Sequence, residues 1–242
     1  MPSLSVKVDH IAAVRNVKKA KEPAPSQAAV LAELAGADGI TCHLREDRKY
    51  IRDRDFYILK EVVQTGLTLQ IAPDEELLER ALEVKPAIVT LMPFSGDDSA
   101  MGKGIDLANY GDHYAGAATS ISEADIKVCY FIDPDSDAIK DAARVKAHAV
   151  EFNMHDFTMA GTDEDIKSEL NRLEQMAQLA EKLGMKAWGG NGLDYKNIRL
   201  LVELGVFERF TIGYAITSRA VLIGMDRAVR DMLDIINHHY ES

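Results

Sequence analysis

Eight short β-branched or apolar runs, each followed by a stretch of helical periodicity, predict an α/β protein built from βα units around a parallel sheet. At 242 residues these units fit one (β/α)8 TIM barrel with extra helices, a fold that takes ~250 residues. A third observation is polarity: parallel strands buried on both faces read as continuous apolar runs, whereas several of these strands alternate apolar and polar residues. No Gly-x-Gly-x-x-Gly follows the first strand, which argues against a doubly wound dinucleotide-binding sheet. No Pro/Gly/Ser-rich linker divides the chain, so residues 1–242 read as a single domain.

The strands are expected at residues 4–9, 39–44, 68–72, 88–92, 127–132, 149–153, 186–188 and 209–213. Helices are expected at 26–35, 53–64, 74–83, 122–124 with its upstream turns, 135–145, 163–183, 194–204 and 216–239. Ser26, Asp53, Asp74, Asp135, Asp163 and Asp194 each precede such a run, where a side-chain oxygen can accept from the free N–H groups of a first turn. Gly36, Gly66, Gly184 and Gly205 close helical patterns before the next strand, as residues that adopt positive φ. The least regular stretch, 93–116, reads as a long loop after strand four, either a functional lid or an ordinary surface loop.

Lys and Arg number 28 against 39 Asp and Glu, a formal charge of −11, so affinity resting on neutralised phosphate backbones is excluded and no nucleic-acid partner is expected. The N-terminal residues lack a basic segment followed by an apolar one, and no apolar run approaches the ~18 residues of a membrane span. A cytoplasmic protein without a membrane partner is the expectation. Cys42 and Cys129 lie in apolar stretches and read as reduced core residues. His10, His43, His155 and Asp156 carry no recognised metal spacing, so no metal is expected.

Residues two apart along a strand share a face. Val6 and Val8 oppose Lys7 and Asp9; Ile40, Cys42 and Leu44 oppose Thr41, His43 and Arg45; Leu69 and Ile71 oppose Thr68 and Gln70; Val150 and Phe152 oppose Glu151 and Asn153. In a barrel the apolar set faces the helices, which sends Lys7, Asp9, His43, Arg45, Gln70, Glu151 and Asn153 to the interior or its upper mouth. Burying them costs free energy unless they pair, as Lys7 with Asp9 and Arg45 with Glu151, or serve a ligand. The glycines at 189, 190 and 192 and at 213 follow strands seven and eight, where barrels of this kind bind phosphate through backbone N–H groups.

Specific segments carry a family resemblance: Val8-Asp9-His10-Ile11-Ala12 with Arg15-Asn16, Gln27-Ala28-Ala29, His43-Leu44-Arg45-Glu46-Asp47-Arg48, Asp53-Arg54-Asp55, Phe131-Ile132-Asp133 and Ile212-Gly213 with Arg219-Ala220. The chain resembles, over nearly its whole length, the pyridoxine 5'-phosphate synthases (PdxJ-like proteins), which are TIM barrels. The resemblance implies a cytoplasmic, metal-free enzyme without a cofactor, octameric in the family. It condenses 3-amino-2-oxopropyl phosphate with 1-deoxy-D-xylulose 5-phosphate, giving pyridoxine 5'-phosphate, inorganic phosphate and water. By resemblance Asp9 and His10 are substrate contacts, His43 a catalytic base, Arg45 a phosphate or substrate contact, and Gly192 and Gly213 phosphate-loop positions.

The departures collect around the same pocket. The family's catalytic glutamate on strand three falls at Gln70 and its catalytic histidine after strand seven at Asn191, neutral amides that take no proton at pH 7. Lys7 stands for an asparagine, Lys18 for an arginine, Tyr50 for a histidine, Asn153-Met154-His155 for His-Thr-Gly, and Tyr214 for the histidine after strand eight. The main reading is a divergent synthase-like enzyme that binds a small phosphorylated or amino-ketone metabolite. His43, Lys7 and Glu151 are its catalytic candidates; Asp9, His10, Lys18, Arg45, Gln70, Asn153, His155, Asn191 and Tyr214 are its substrate contacts. Lys7 serves as a fixed charge or as a Schiff-base nucleophile. The alternatives are the authentic synthase and a non-catalytic ligand-binding barrel.

Overall fold

The computed structural model describes residues 1–94 and 102–240. Its strands are β1 (Ser3–Lys7), β2 (Gly39–His43), β3 (Leu67–Ile71), β4 (Ile88–Leu91), β5 (Lys127–Ile132), β6 (Ala149–Asn153), β7 (Lys186–Gly190) and β8 (Arg209–Ile212). They pair in parallel in chain order, and β8 pairs β1 through Ser5 opposite Thr211, so the sheet closes into a barrel. Around it run α1 (Asp9–Val17), α2 (Pro25–Leu34), α3 (Asp53–Val62), α4 (Glu75–Val84), α5 (Leu107–Glu123), α6 (Ser136–Arg144), α7 (His155–Met159), α8 (Asp163–Lys182), α9 (Ile198–Glu203), α10 (Tyr214–Ile223) and α11 (Met225–Tyr240). None of the described helices is long and apolar enough to cross a membrane.

Two layers of apolar residues result from the period of the strands. Val89, Val128, Val150 and Ala187 pack outward into the large core against the helices. Their neighbours Ile88, Cys129, Ala149 and Trp188 form a separate buried cluster inside the barrel. Arg209 lies over the Trp188 ring, 4.6 Å from its centroid, and donates to Ser3 Oγ at 3.3 Å, which seals the interior at the N-terminal ends of the strands. The opposite end is polar and open.

Several boundaries differ from expectation. Asp9 does not end β1 but opens α1, because Val8 has already left the strand with φ −97° and ψ 4°. Of the expected caps, Asp74 and Asp135 accept from first-turn N–H groups. Helix α2 instead starts at Pro25, α8 is capped by Thr162, and α3 is closed by Asp55 accepting from Arg52 N at 2.9 Å. Asp194 holds a turn before α9, accepting from Asn197 N at 2.9 Å. Residues 95–101 of the expected loop lie outside the described residues, and the loop ends sooner than residue 116 because Asp106 caps α5. Gly111 and Gly116 sit in that helix where an added Cβ would meet nothing within 4 Å, so they cost only backbone entropy. The expected helix 216–239 is two, broken at Gly224 with φ +87°.

Candidate active site

The polar ends of the strands meet in a cavity of about 840 Å³. Lys7, Asp9, His10, His43, Arg45 and Gln70 line it from one side; Glu151, Asn191, Gly192, Gly213 and Tyr214 line it from the other. In the strand register Lys7 lies opposite Thr41 and His43 opposite Gln70, so successive interior residues of β1, β2 and β3 form one wall. Lys7 Nζ donates to Gln70 Oε1 at 2.6 Å and pairs with Asp9 Oδ2 at 3.2 Å. Asp9 Oδ1 accepts the backbone N–H of His43 at 2.8 Å. Gln70 Nε2 then donates to Glu151 Oε1 at 3.4 Å, and Thr211 Oγ1 donates to Glu151 Oε2 at 3.2 Å.

This network sets the charge states. Burial, followed by the positive charges of Lys7 and Arg45, holds the His43 imidazole well below its ordinary value, so it is neutral at pH 7. Its Nε2 is buried and has no hydrogen-bond partner among the described residues. Burial pushes the Glu151 carboxyl up, against the opposing pull of Lys7 and the Thr211 hydroxyl. His10, in the first turn of α1, is likewise drawn down by burial, leaves Nδ1 unpartnered, and meets the Tyr214 ring edge-on at 5.6 Å. The wall therefore presents a neutral imidazole as proton acceptor and, across it, a carboxyl biased toward holding a proton.

Charge and backbone shape the rim. Lys7, Arg45, Lys49, Lys103 and Arg219 line the cavity against Asp9, Glu151 and Asp194, an excess of cations in a chain of net charge −11. Such a patch attracts an anion. Helix α10 points its first N–H groups at the mouth from the Gly213 cap, and a Cβ at Gly213 would lie 2.9 Å from Lys7 Cβ, which explains the glycine. Asn191 and Gly192 both adopt left-handed backbone, φ +72° and +75°, in the turn after β7.

Three expected contacts fall outside the lining. Lys18 caps the C-terminus of α1 in solvent, because that helix carries it roughly 13 Å from Asp9 at 1.5 Å per residue. Asn153 is buried in the scaffold: its Nδ2 donates to Gly102 O at 2.5 Å and Asp133 Oδ1 at 2.8 Å, and its Oδ1 accepts from Asn191 Nδ2 at 2.9 Å. His155 starts α7 beside Gly102. Arg45 pairs with Asp47 at 2.9 Å rather than with Glu151, because the loop after β2 folds back on itself. Sequence reasoning did not single out Lys49 and Lys103, loop residues without periodicity. Arg219 appeared there only as part of a matching segment; it lies over Tyr195 at 4.8 Å, and both line the cavity.

Comparison with known proteins agrees with this architecture. A phosphoribosyl anthranilate isomerase from Thermus thermophilus superposes with a TM-score of 0.62 over 98% of each chain at 12% identity, a likeness of fold alone. Pyridoxine 5'-phosphate synthases from Geotalea daltonii and Geobacter sulfurreducens are 42% and 41% identical over 238 residues, covering 98% of this chain and the whole of each relative. One from Synechococcus is 43% identical over 232 residues, 96% of this chain and 97% of its own. The family described as Pyridoxal phosphate biosynthesis protein PdxJ matches residues 4–238, and the chain belongs to that family.

Proposed function

We propose that the protein is a cyclising condensation enzyme that joins 3-amino-2-oxopropyl phosphate to 1-deoxy-D-xylulose 5-phosphate, the reaction its family resemblance implies; relatives named pyridoxine 5'-phosphate synthase match along 98% of the chain. The observation that carries this reading is His43: a neutral imidazole whose buried Nε2 has no partner among the described residues, in a cavity rich in cations. The amine of one substrate attacks the carbonyl of the other, a C–C bond closes the ring, and two waters and one inorganic phosphate depart. Each step moves a proton between carbon, nitrogen and oxygen. His43 accepts protons from the substrate, and Glu151 returns them to departing oxygens, the two roles their environments set apart. Asp9 orients His43 through its backbone N–H and balances Lys7. The α10 N-terminus at Gly213 and the Gly192 turn receive the phosphates, with Arg45 at the rim.

A second reading, shortened chemistry on one such substrate, is favoured by Gln70 and Asn191, which are amides tied into hydrogen bonds and carry no transferable proton. Purified protein given both substrates discriminates the two. The condensation reading expects stoichiometric release of inorganic phosphate with the pyridine product. Consumption of one substrate without ring formation supports the second reading, and no turnover of either defeats both.

A further inference from the structure

We propose that Lys7 is a catalytic residue whose ammonium binds the carbonyl oxygen of the phosphorylated ketone and stabilises the enolate oxygen formed when His43 removes the adjacent proton. This rests on the reading of the site as a phosphorylated-ketone condensing centre and assigns the electrophile that reading lacks.

Every anchor of Lys7 is itself anchored. Nζ is held by Asp9 Oδ2 at 3.2 Å and Gln70 Oε1 at 2.6 Å. Asp9 is fixed through its other oxygen by the His43 N–H at 2.8 Å, and Gln70 spends its amide nitrogen on Glu151. The stem packs against Gly213, where a Cβ would lie 2.9 Å away. An ammonium carries three N–H bonds. One donates to Gln70 while the charge pairs with Asp9, which leaves donor capacity for what enters the cavity that Lys7 lines. The side chain keeps 21% of its surface open while Asp9 keeps 5%, so the charge is reachable but its counterion is shielded. A preorganised donor of this kind favours an oxygen that gains charge over one that does not.

The step is balanced. His43 Nε2 takes a proton from the carbon beside the carbonyl, the C–H electron pair becomes the enolate double bond, and the carbonyl pair moves to the oxygen held by Lys7. No oxidant is needed. Asp9 takes the Lys7 charge on one oxygen and the backbone N–H of His43 on the other, and both side chains line the same cavity.

Calorimetric titration with two probes tests this: dihydroxyacetone phosphate, a ground-state ketone, and 2-phosphoglycolohydroxamate, a planar mimic of an enediolate. Wild type is expected to bind the mimic at least about 10-fold tighter than the ketone. Lys7→Met is expected to lose that preference while keeping ketone affinity within about 3-fold, and Lys7→Arg to retain part of it. Lys7→Gln, which keeps a donor toward Asp9, serves if the methionine variant does not fold and is expected to lose the preference likewise. A preference unchanged in Lys7→Met or Lys7→Gln overturns the assignment and leaves the condensation reading standing. So does a covalent adduct on Lys7 after borohydride reduction with the ketone, because an imine nitrogen cannot be that ammonium. Wild type that binds neither probe overturns both.

Discussion

His43 is expensive to bury and is kept neutral, and this is measurable without any substrate. Its folded pKa lies well below the ~6.5 of an unfolded chain, so at lower pH the unfolded state takes up a proton that the native state refuses. Stability therefore falls as pH drops through 6.5, by up to roughly 1.4 kcal/mol per pH unit for each such imidazole. His10 and His148 shift in the same direction. Urea midpoints at pH 7.5 and 5.5 are expected to show the loss, and His43→Asn to flatten part of it; an equal slope in the variant would contradict the assigned charge state. At this scale the sequence was informative wherever period two placed a side chain, as with Lys7, His43 and Gln70 on one wall and Glu151 across the cavity from them. It placed Arg45 at the mouth but was uninformative for its partner Asp47, which depends on how a loop turns back, and for Lys18, which a missed helix carries away from the mouth.

At the scale of elements, the site depends on how α1, α3 and α10 are seated. Arg15 of α1 donates to both oxygens of Asp55 of α3, at 2.5 and 2.9 Å, and to Tyr50 O at 3.1 Å. Both charges are largely buried, so Asp55→Ala strands a guanidinium and removes the box that closes α3. We expect a loss of about 3–5 kcal/mol in chemical denaturation. Gly213→Ala is expected to push the first turn of α10 off Lys7 and to weaken inorganic phosphate binding about 10-fold by calorimetry, with about 1–3 kcal/mol of stability lost. Undiminished phosphate affinity would place the anion elsewhere. The strands were legible to within a residue or two because their apolar faces must meet the helices. Helix α5 was not, since Gly111 and Gly116 mimic breakers on an exposed face, and neither was the break at Gly224, which follows an apolar run continuous with α10.

For the molecule as a whole, the barrel closes its core but leaves large apolar side chains in solvent on adjoining helices. Val17 of α1, Leu34 of α2 and Val221 and Leu222 of α10 are 71% to 83% exposed. We propose that these helices form an association surface, since exposed large apolar side chains favour one; light scattering is then expected to give a mass above that of one 242-residue chain, reduced by the double change Val221→Glu and Leu222→Glu. A monomeric wild type would refute this. The closed barrel was legible from repeat count and length together, because eight βα units fit the ~250 residues that this fold takes. The surface patch was not, since single exposed apolar residues on helices look like core positions until the packing is known.

Proton transfer by His43 to and from a phosphorylated ketone bound at the mouth of this barrel is tested most directly by proton NMR of 3-amino-2-oxopropyl phosphate in D2O with purified protein, without the second substrate. Enzyme-dependent deuterium incorporation beside the carbonyl is expected, slowed about 100-fold or more in His43→Gln. Exchange at the same rate in that variant, or none in wild type with the ketone bound, would contradict it.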